Sequence, residues 1–267
     1  MIENDNQSPI IGISELTISL GGKKILRDVS FDVGRGEFLC IVGKNGAGKS
    51  TLFKCLCGVY KNFEGELRLA GRPTDAMRAR ERARIVAYVP QSAPPDMPYT
   101  AGEFMEMSRY AWRNGWSGSK SSDERAIASA VALAGTGEFS SRRMCDLSGG
   151  ERQKVMIASA IASESDAILM DEPTTFLDYA HQVETMEMMS RVNRERGVAM
   201  LVVTHDVNIA IRMSGRVVAI AGGRVEWSGA PDELREPARL RSIFGVAFEQ
   251  YFPVLGDAPP LLAPVGF

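Results

Sequence analysis

The run Gly43-Lys44-Asn45-Gly46-Ala47-Gly48-Lys49-Ser50, followed by Thr51, constrains this chain more than any other stretch. Its pattern, G-x-x-x-x-G-K-[ST], is that of a loop that closes backbone N–H groups around a phosphate, where any Cβ would keep the anion at a distance. The flanks fit that geometry. Glu37 to Val42 (EFLCIV) reads as a buried strand and Ser50 to Cys57 (STLFKCLC) as an apolar helix, so strand, loop and helix follow in the order the motif requires. A helix N-terminus aimed at the loop adds partial positive charge, Lys49 adds a full charge for terminal phosphates, and the Ser50 hydroxyl can ligate Mg²⁺.

With 267 residues the chain can bury a substantial core. Its 31 basic and 33 acidic residues leave a net charge of −2, which excludes a protein built on basic surface for nucleic acid. Cysteines 40, 55, 57 and 145 form no pair of metal-ligand clusters and read as reduced, mostly buried thiols of a cytosolic protein. Apolar runs such as Val198 to Val203 are too short to span a bilayer. The N-terminal MIENDNQSPI lacks the basic-then-apolar pattern of a signal peptide.

Apolar residues from Ile10 to Val33 alternate on either side of Gly21-Gly22, which predicts an antiparallel β layer, joined by a further hairpin-like segment at Gly65 to Leu69. Thr74 to Arg84 reads as a solvated basic helix, and Ile85 to Val89 as a strand ended by Pro90-Gln91. The proline-rich Ser92 to Pro98 marks a boundary. Helical patterns follow at Ala101 to Trp112 and Asp123 to Ala134, around a Gly/Ser-rich linker, Gly115 to Ser122, that Trp112 and Trp116 can anchor.

Leu147-Ser148-Gly149-Gly150-Glu151 opens a helix to about Ser163, with Ser148 and Glu151 spaced as a capping box. Capping leaves the two glycines unexplained; close approach of the helix N-terminus to another group, such as a phosphate, would account for them. Ala167 to Met170 is a short buried strand ending at Asp171-Glu172-Pro173, where open α/β sheets bind ligands. Alternation along a strand points the two acids apart, one free to hold Mg²⁺ and the other to face a water. A helix from about Ala180 to Glu195, a strand ending at Thr204-His205-Asp206, and a hairpin around Gly222-Gly223 complete the pattern. From Pro231 the chain reads as one or two short helices and then a loop-like, proline-rich tail.

In order, GKNGAGKST, VPQ, LSGGE, AILMDEP, TTFLD and THD, between Gly43 and Asp206, resemble the motif series of the ABC transporter ATPases. The resemblance implies an α/β fold: a P-loop NTPase (ABC ATPase) core with an N-terminal antiparallel β layer and an inserted α-helical subdomain. It implies one ATPase domain over residues 10–235, with the helical part at about 92–163, and a short C-terminal extension at 236–267. It further implies ATP and Mg²⁺ as cofactors. Gly43 to Thr51 would bind the phosphates, and Ser50, Gln91 and Asp171 would hold the metal. Glu172 would be the catalytic base and His205 the contact to the γ-phosphate. Ser148, Gly149 and Gly150 would bind the nucleotide held by a second copy of the subunit, or by a close homologue of it, and Asp178 would lie at the subunit interface. Two ATPase subunits on the cytoplasmic face of the membrane would drive transmembrane permease subunits, working indirectly with a solute-binding protein.

His181-Gln182 and the ending with Phe244-Gly245-Val246 are similar to ATPases of iron-siderophore, haem and cobalamin importers, with importers of other metals or small solutes and export or lipoprotein-release systems as alternatives. A soluble ABC protein acting on nucleic acid or ribosomes fits less well, because the chain has one signature, no repeat and no heptad run. One position departs from the family pattern. Where an aromatic residue usually stacks on adenine, the chain has Leu20, which predicts weak discrimination between ATP and GTP.

Overall fold

The computed structural model describes residues 8–92, 96–113, 120–175, 177–252 and 260–265. The N-terminal residues 1–7, part of the proline-rich stretch, Trp116 with most of its linker, and Phe176 lie outside the described residues. Strands β1 (Ile11–Leu20) and β2 (Lys23–Val33) pair antiparallel across Gly21-Gly22, and β4 (Glu64–Leu69) and β5 (Arg72–Pro73) extend them into a four-stranded sheet of order β2-β1-β4-β5. This is the predicted antiparallel layer.

The second sheet has six strands in the order β10-β9-β3-β8-β7-β6. Its members are β3 (Phe38–Val42), β6 (Val86–Val89), β7 (Ala167–Asp171), β8 (Ala199–Val203), β9 (Arg216–Ala221) and β10 (Arg224–Gly229). All pairings among β3, β6, β7, β8 and β9 are parallel, and β10 closes the edge antiparallel. Parallel sheets are covered on both faces, which is why these strands read as unbroken apolar runs.

The two-residue period divides each strand between two cores. Leu39 and Ile41 of β3 join Leu169, Leu201 and Val203 on the side of the antiparallel layer, where α1 (Lys49–Leu56) is sandwiched with Leu52 and Phe53 fully buried. Cys40 and Val42 face the opposite side with Met170 and Val202, against helices α5 (Gly149–Ala162), α6 (Tyr179–Arg196) and α7 (Val207–Met213). Each fully buried leucine stabilises the fold by roughly 2 kcal/mol relative to exposure.

Between β6 and β7 lie α3 (Ala101–Ser108), α4 (Lys120–Ala134) and then α5. Arg109 ties this region together: 3% exposed, it donates to Asp123 at 2.9 Å, to the Ala162 carbonyl at 2.8 Å and to Glu164 at 2.8 Å. Trp112 anchors the start of the linker by donating to the Ser163 carbonyl at 2.6 Å, with the guanidinium groups of Arg84 and Arg109 against its ring.

Two expectations need correction. The basic stretch is a 3₁₀ turn at Thr74–Ala76 followed by α2 (Ala79–Ile85), and it is not simply solvated. Arg82 is buried against Gly58, whose lack of a Cβ makes room for the guanidinium, and it donates to the Thr74 carbonyl; Arg80 and Arg84 both donate to the Ala111 carbonyl. The tail is not loop-like throughout. After α8 (Pro237–Phe244), strands β11 (Phe248–Tyr251) and β12 (Leu261–Pro264) pair antiparallel, and Leu262 enters the main core beside Leu240 and Ile243. Among the thiols, burial pushes Cys40 and Cys57 up to about 12 and Cys55 up to about 11, while Cys145 is exposed.

Candidate functional site

Because β3, β6, β7 and β8 run parallel, their C-terminal ends share one sheet edge, and each delivers one of the singled-out segments there. Gly43 follows β3, Gln91 lies two residues past β6, Asp171 ends β7 and His205 lies two residues past β8. Pairing continues past the strands proper: Glu172 N–H donates to the Val203 carbonyl at 2.9 Å and Thr204 N–H to the Ile41 carbonyl at 3.1 Å. These bonds hold the backbone of both segments to the sheet.

The loop needs its glycines at two positions for different reasons. A Cβ on Gly43, at φ +148°, would lie 2.1 Å from the Ile220 carbonyl oxygen, and one on Gly48, at φ +103°, would lie 2.5 Å from Leu26. Lys49 begins α1 and turns back over the loop, its ammonium donating to the carbonyls of Gly43 at 2.7 Å and Lys44 at 3.0 Å. Burial pulls its pKa down, opposed by the charges of Glu172 and Asp171.

A cleft of about 380 Å³ opens on the loop, lined by Asn45, Gly46, Gly48, Lys49, Ser50, Thr51, Gln91, Asp171 and Glu172, with Ile25 of β2. Asp171 is 4% exposed, and burial raises its pKa; the Ser50 hydroxyl bonded to it works the other way, the Glu172 charge adds to the rise, and Lys49 and Tyr88 oppose it. Tyr88 Oη sits 3.4 Å from Asp171 Oδ2.

Three groups converge on one oxygen of Glu172. Gln91 Nε2 donates to Oε2 at 3.0 Å, Thr175 Oγ1 donates to it at 2.9 Å, and His205 Nδ1 lies 3.1 Å away. Glu172 itself stands at φ +49°, a left-handed conformation that costs a non-glycine residue about 1 kcal/mol or more and that clusters at functional sites. Pro173 does not begin a helix, since α6 starts only at Tyr179. A carboxylate held in this way can orient a water or take its proton.

The donor set around Ser50 and Asp171 suits Mg²⁺: a hydroxyl, a buried carboxylate and an amide oxygen from Gln91 are hard oxygen ligands. Among the described residues no group of three or more His, Cys, Asp and Glu could hold a metal unaided.

Other predicted residues stand away from this cleft. Lys44 and Ala47 belong to the loop but do not line it, and the Lys44 side chain is directed at Gly245. Ser148 and Gly149 are exposed at the start of α5, where Ser148 Oγ accepts from Glu151 N–H at 3.2 Å and Glu151 accepts from Ser148 N–H at 2.7 Å, the expected capping box. Bonds from Arg142 and Ser148 hold the Glu151 carboxyl down at about 2. Gly150 packs on Leu177, which a Cβ would approach to 3.2 Å. Asp178 caps α6, accepting from His181 N–H at 2.9 Å. Leu20 is half-buried in the cluster under the antiparallel layer, and Ile25 is the residue of that layer that lines the cleft.

Sequence reasoning missed Thr175 and Tyr88. Thr175 stood inside the quoted TTFLD run, three residues from Glu172, and could have been found there. Tyr88 reaches Asp171 across 83 positions, and nothing local signals it.

A sequence model of the ABC transporter family matches residues 26–175. The chain is similar to "Iron(3+)-hydroxamate import ATP-binding protein FhuC" of Bacillus subtilis, 32% identical over 90% of this chain and 89% of that one. It is also similar to "Hemin import ATP-binding protein HmuV" of Pseudomonas fluorescens, 36% identical over 86% of this chain and 91% of that one. Among solved structures it superposes on the dimeric structure of MJ0796, described as a bacterial ABC transporter cassette, with a TM-score of 0.73 and 29% identity over 83% of this chain and 98% of that one. Phosphate loop, acidic strand end and cassette architecture agree with these matches, and the chain belongs to the ABC transporter family as one of its ATP-hydrolysing cassettes.

Proposed function

We propose that this chain energises an importer of metal or cofactor chelates of the iron-siderophore, haem or cobalamin type, and that its active site is the cleft at Glu172. The observation that carries the site is the convergence of Gln91, Thr175 and His205 on one oxygen of Glu172, beside the phosphate loop. The substrate class rests on the names of the similar proteins and on their coverage of nearly the whole chain.

In this reading, backbone N–H groups of Gly43 to Thr51 cradle the phosphates and Lys49 offsets their charge. Ser50, Asp171 and Gln91 would hold Mg²⁺, which would offset the negative charge of the phosphates. Glu172 orients a water for in-line attack and accepts its proton, while His205 contacts the γ-phosphate. Ser148 and Gly149 are exposed, Gly150 is half-buried, and all three lie outside the cleft, a placement that suits completion of a second copy's site, with Asp178 at the same interface. Residues 10–235 then form the ATPase domain, with the helical part at about 92–163 inserted, and 236–267 form its extension. Among the described residues no helix is long and apolar enough to cross a membrane. In this reading the chain meets the membrane peripherally, on the cytoplasmic face, through permease subunits, and works with a solute-binding protein only indirectly.

Glu172→Gln tests the reading. The variant should bind ATP, lose turnover and accumulate as a closed dimer on size exclusion; normal steady-state turnover would remove Glu172 from the role of base. Uptake into vesicles carrying the permease, competed with ferric chelates, haem and cobalamin in turn, tests the substrate class, and transport blocked by none of the three would refute it.

A further inference from the structure

The segment after His205 is held from two sides. On one, Asp206 N–H donates to Thr204 Oγ1 at 3.0 Å, and Asp206 Oδ1 caps α7 by accepting from the N–H groups of Asn208 at 2.8 Å and Ile209 at 3.1 Å. On the other stands Asn208, the second residue of α7, where asparagine is a poor helix former. Its side chain is used elsewhere. Nδ2 donates to the Leu262 carbonyl at 3.0 Å and Oδ1 accepts from the Leu262 N–H at 2.8 Å, so the amide pairs with β12 as a neighbouring strand's backbone would. Leu262 is 5% exposed, and Arg235 secures the entry to β12 by donating to the Pro260 carbonyl at 2.7 Å.

The same extension also reaches the phosphate loop, at Lys44. α8 ends at Gly245, at φ +67°, and the Lys44 ammonium of the phosphate loop packs so closely there that a Cβ would lie 2.3 Å from Nζ. The extension thus touches the phosphate loop where Gly245 meets Lys44 and the segment behind His205 where Leu262 meets Asn208.

We infer that the C-terminal extension braces the nucleotide site, and that Asn208 is a positioning residue which, through its paired bonds to Leu262, sets His205 against Glu172. The inference rests on the proposed role of His205 in turnover. It assigns the extension a part in hydrolysis rather than in packing alone.

The test is a double-mutant cycle in the full chain, using Asn208→Ala, Asn208→Asp and His205→Ala. Asn208→Asp keeps size and acceptor but loses the donor to Leu262. Each Asn208 variant should lower kcat about tenfold, the scale of a displaced reacting group, with KM for ATP held within about twofold. In the His205→Ala background neither should lower it further. The imidazole NMR resonances of His205, one of two histidines, should move in both Asn208 variants without nucleotide, and those of His181 should not. Unchanged kcat with unmoved His205 resonances overturns the inference, as do losses that multiply with His205→Ala, because a purely structural role acts independently of His205. If His205→Ala alone leaves turnover intact, the reading of His205 fails and the brace with it. If His205→Ala slows turnover and the Asn208 variants do not, only the brace fails. Should Asn208→Ala not fold, Asn208→Asp carries the cycle.

Discussion

Thr175 Oγ1 donates to Glu172 Oε2 at 2.9 Å, across the turn in which Thr175 N–H also bonds the Glu172 carbonyl. With Gln91 and His205 on the same oxygen, the second carboxylate oxygen, Oε1, takes none of these three bonds. Thr175 is therefore one of three supports that decide where Oε1 points.

Removing that hydroxyl while keeping the shape should misorient the carboxylate and spare nucleotide binding. Thr175→Val is expected to lower kcat about tenfold with KM for ATP little altered, as for an interaction that acts in the transition state alone. Steady-state kinetics decide it, and a kcat equal to that of the parent protein would show that Gln91 and His205 suffice.

Asp171 makes a prediction about stability. Its buried carboxyl titrates above the ordinary 3.8 because burial and the Glu172 charge disfavour ionisation. A raised folded value means that the native state binds the proton more tightly than the unfolded chain, so this contribution is full below 3.8 and is lost as pH rises through the folded value. Asp171→Asn lacks the penalty. In the absence of nucleotide it should melt roughly 2 °C above the parent at neutral pH, with the gap closing toward about pH 4. The same variant should lose the extra stabilisation that Mg²⁺ with ATP confers on the parent. A lower melting temperature at neutral pH would mean that the bonds from Ser50 and Tyr88 outweigh the burial cost.

What the sequence disclosed here was what is local. The phosphate loop, the Ser148–Glu151 cap and the Asp171-Glu172 strand end each lie within a few residues, and a parallel sheet then gathers strand ends on one edge without any further signal. Unread were the pairs that depend on tertiary path. Tyr88 meets Asp171 across 83 positions and Asn208 meets Leu262 across 54, and neither residue type at its position implies a partner. Arg82 looked solvated because arginine usually is; its burial follows from Gly58 in the turn after α1, distant in sequence. β12 was hidden by the prolines around it, and what makes it a strand is pairing with β11 and the Asn208 clamp.

Gly48 tests how far the loop depends on glycine. An alanine there would have to hold φ near +103° and place its Cβ 2.5 Å from Leu26 and 3.2 Å from the Ile25 carbonyl. The backbone strain alone costs about 1–3 kcal/mol, and relief requires the loop to shift away from β2. Gly48→Ala should lower Tm by roughly 5 °C and abolish detectable nucleotide binding. Wild-type affinity measured by calorimetry would mean that β2 yields instead of the loop.

Leu20 carries the last prediction. It ends β1 opposite Lys23 across the Gly21-Gly22 turn, half-buried, while Ile25 two residues beyond Lys23 lines the cleft. An aliphatic side chain at the place where the family usually has an aromatic ring gives a base an apolar surface but no π face, so stacking contributes little and adenine is not distinguished from guanine by it. ATP and GTP should therefore compete for the chain with similar affinity. Leu20→Tyr should tighten ATP binding about tenfold, the effect of stacking energy on the order of 1 kcal/mol or slightly more, and leave kcat unchanged because the phosphates are held by other residues. Competition binding with labelled ATP measures both. A strong preference for ATP in the parent protein would show that base selection comes from elsewhere in the chain or from the second subunit.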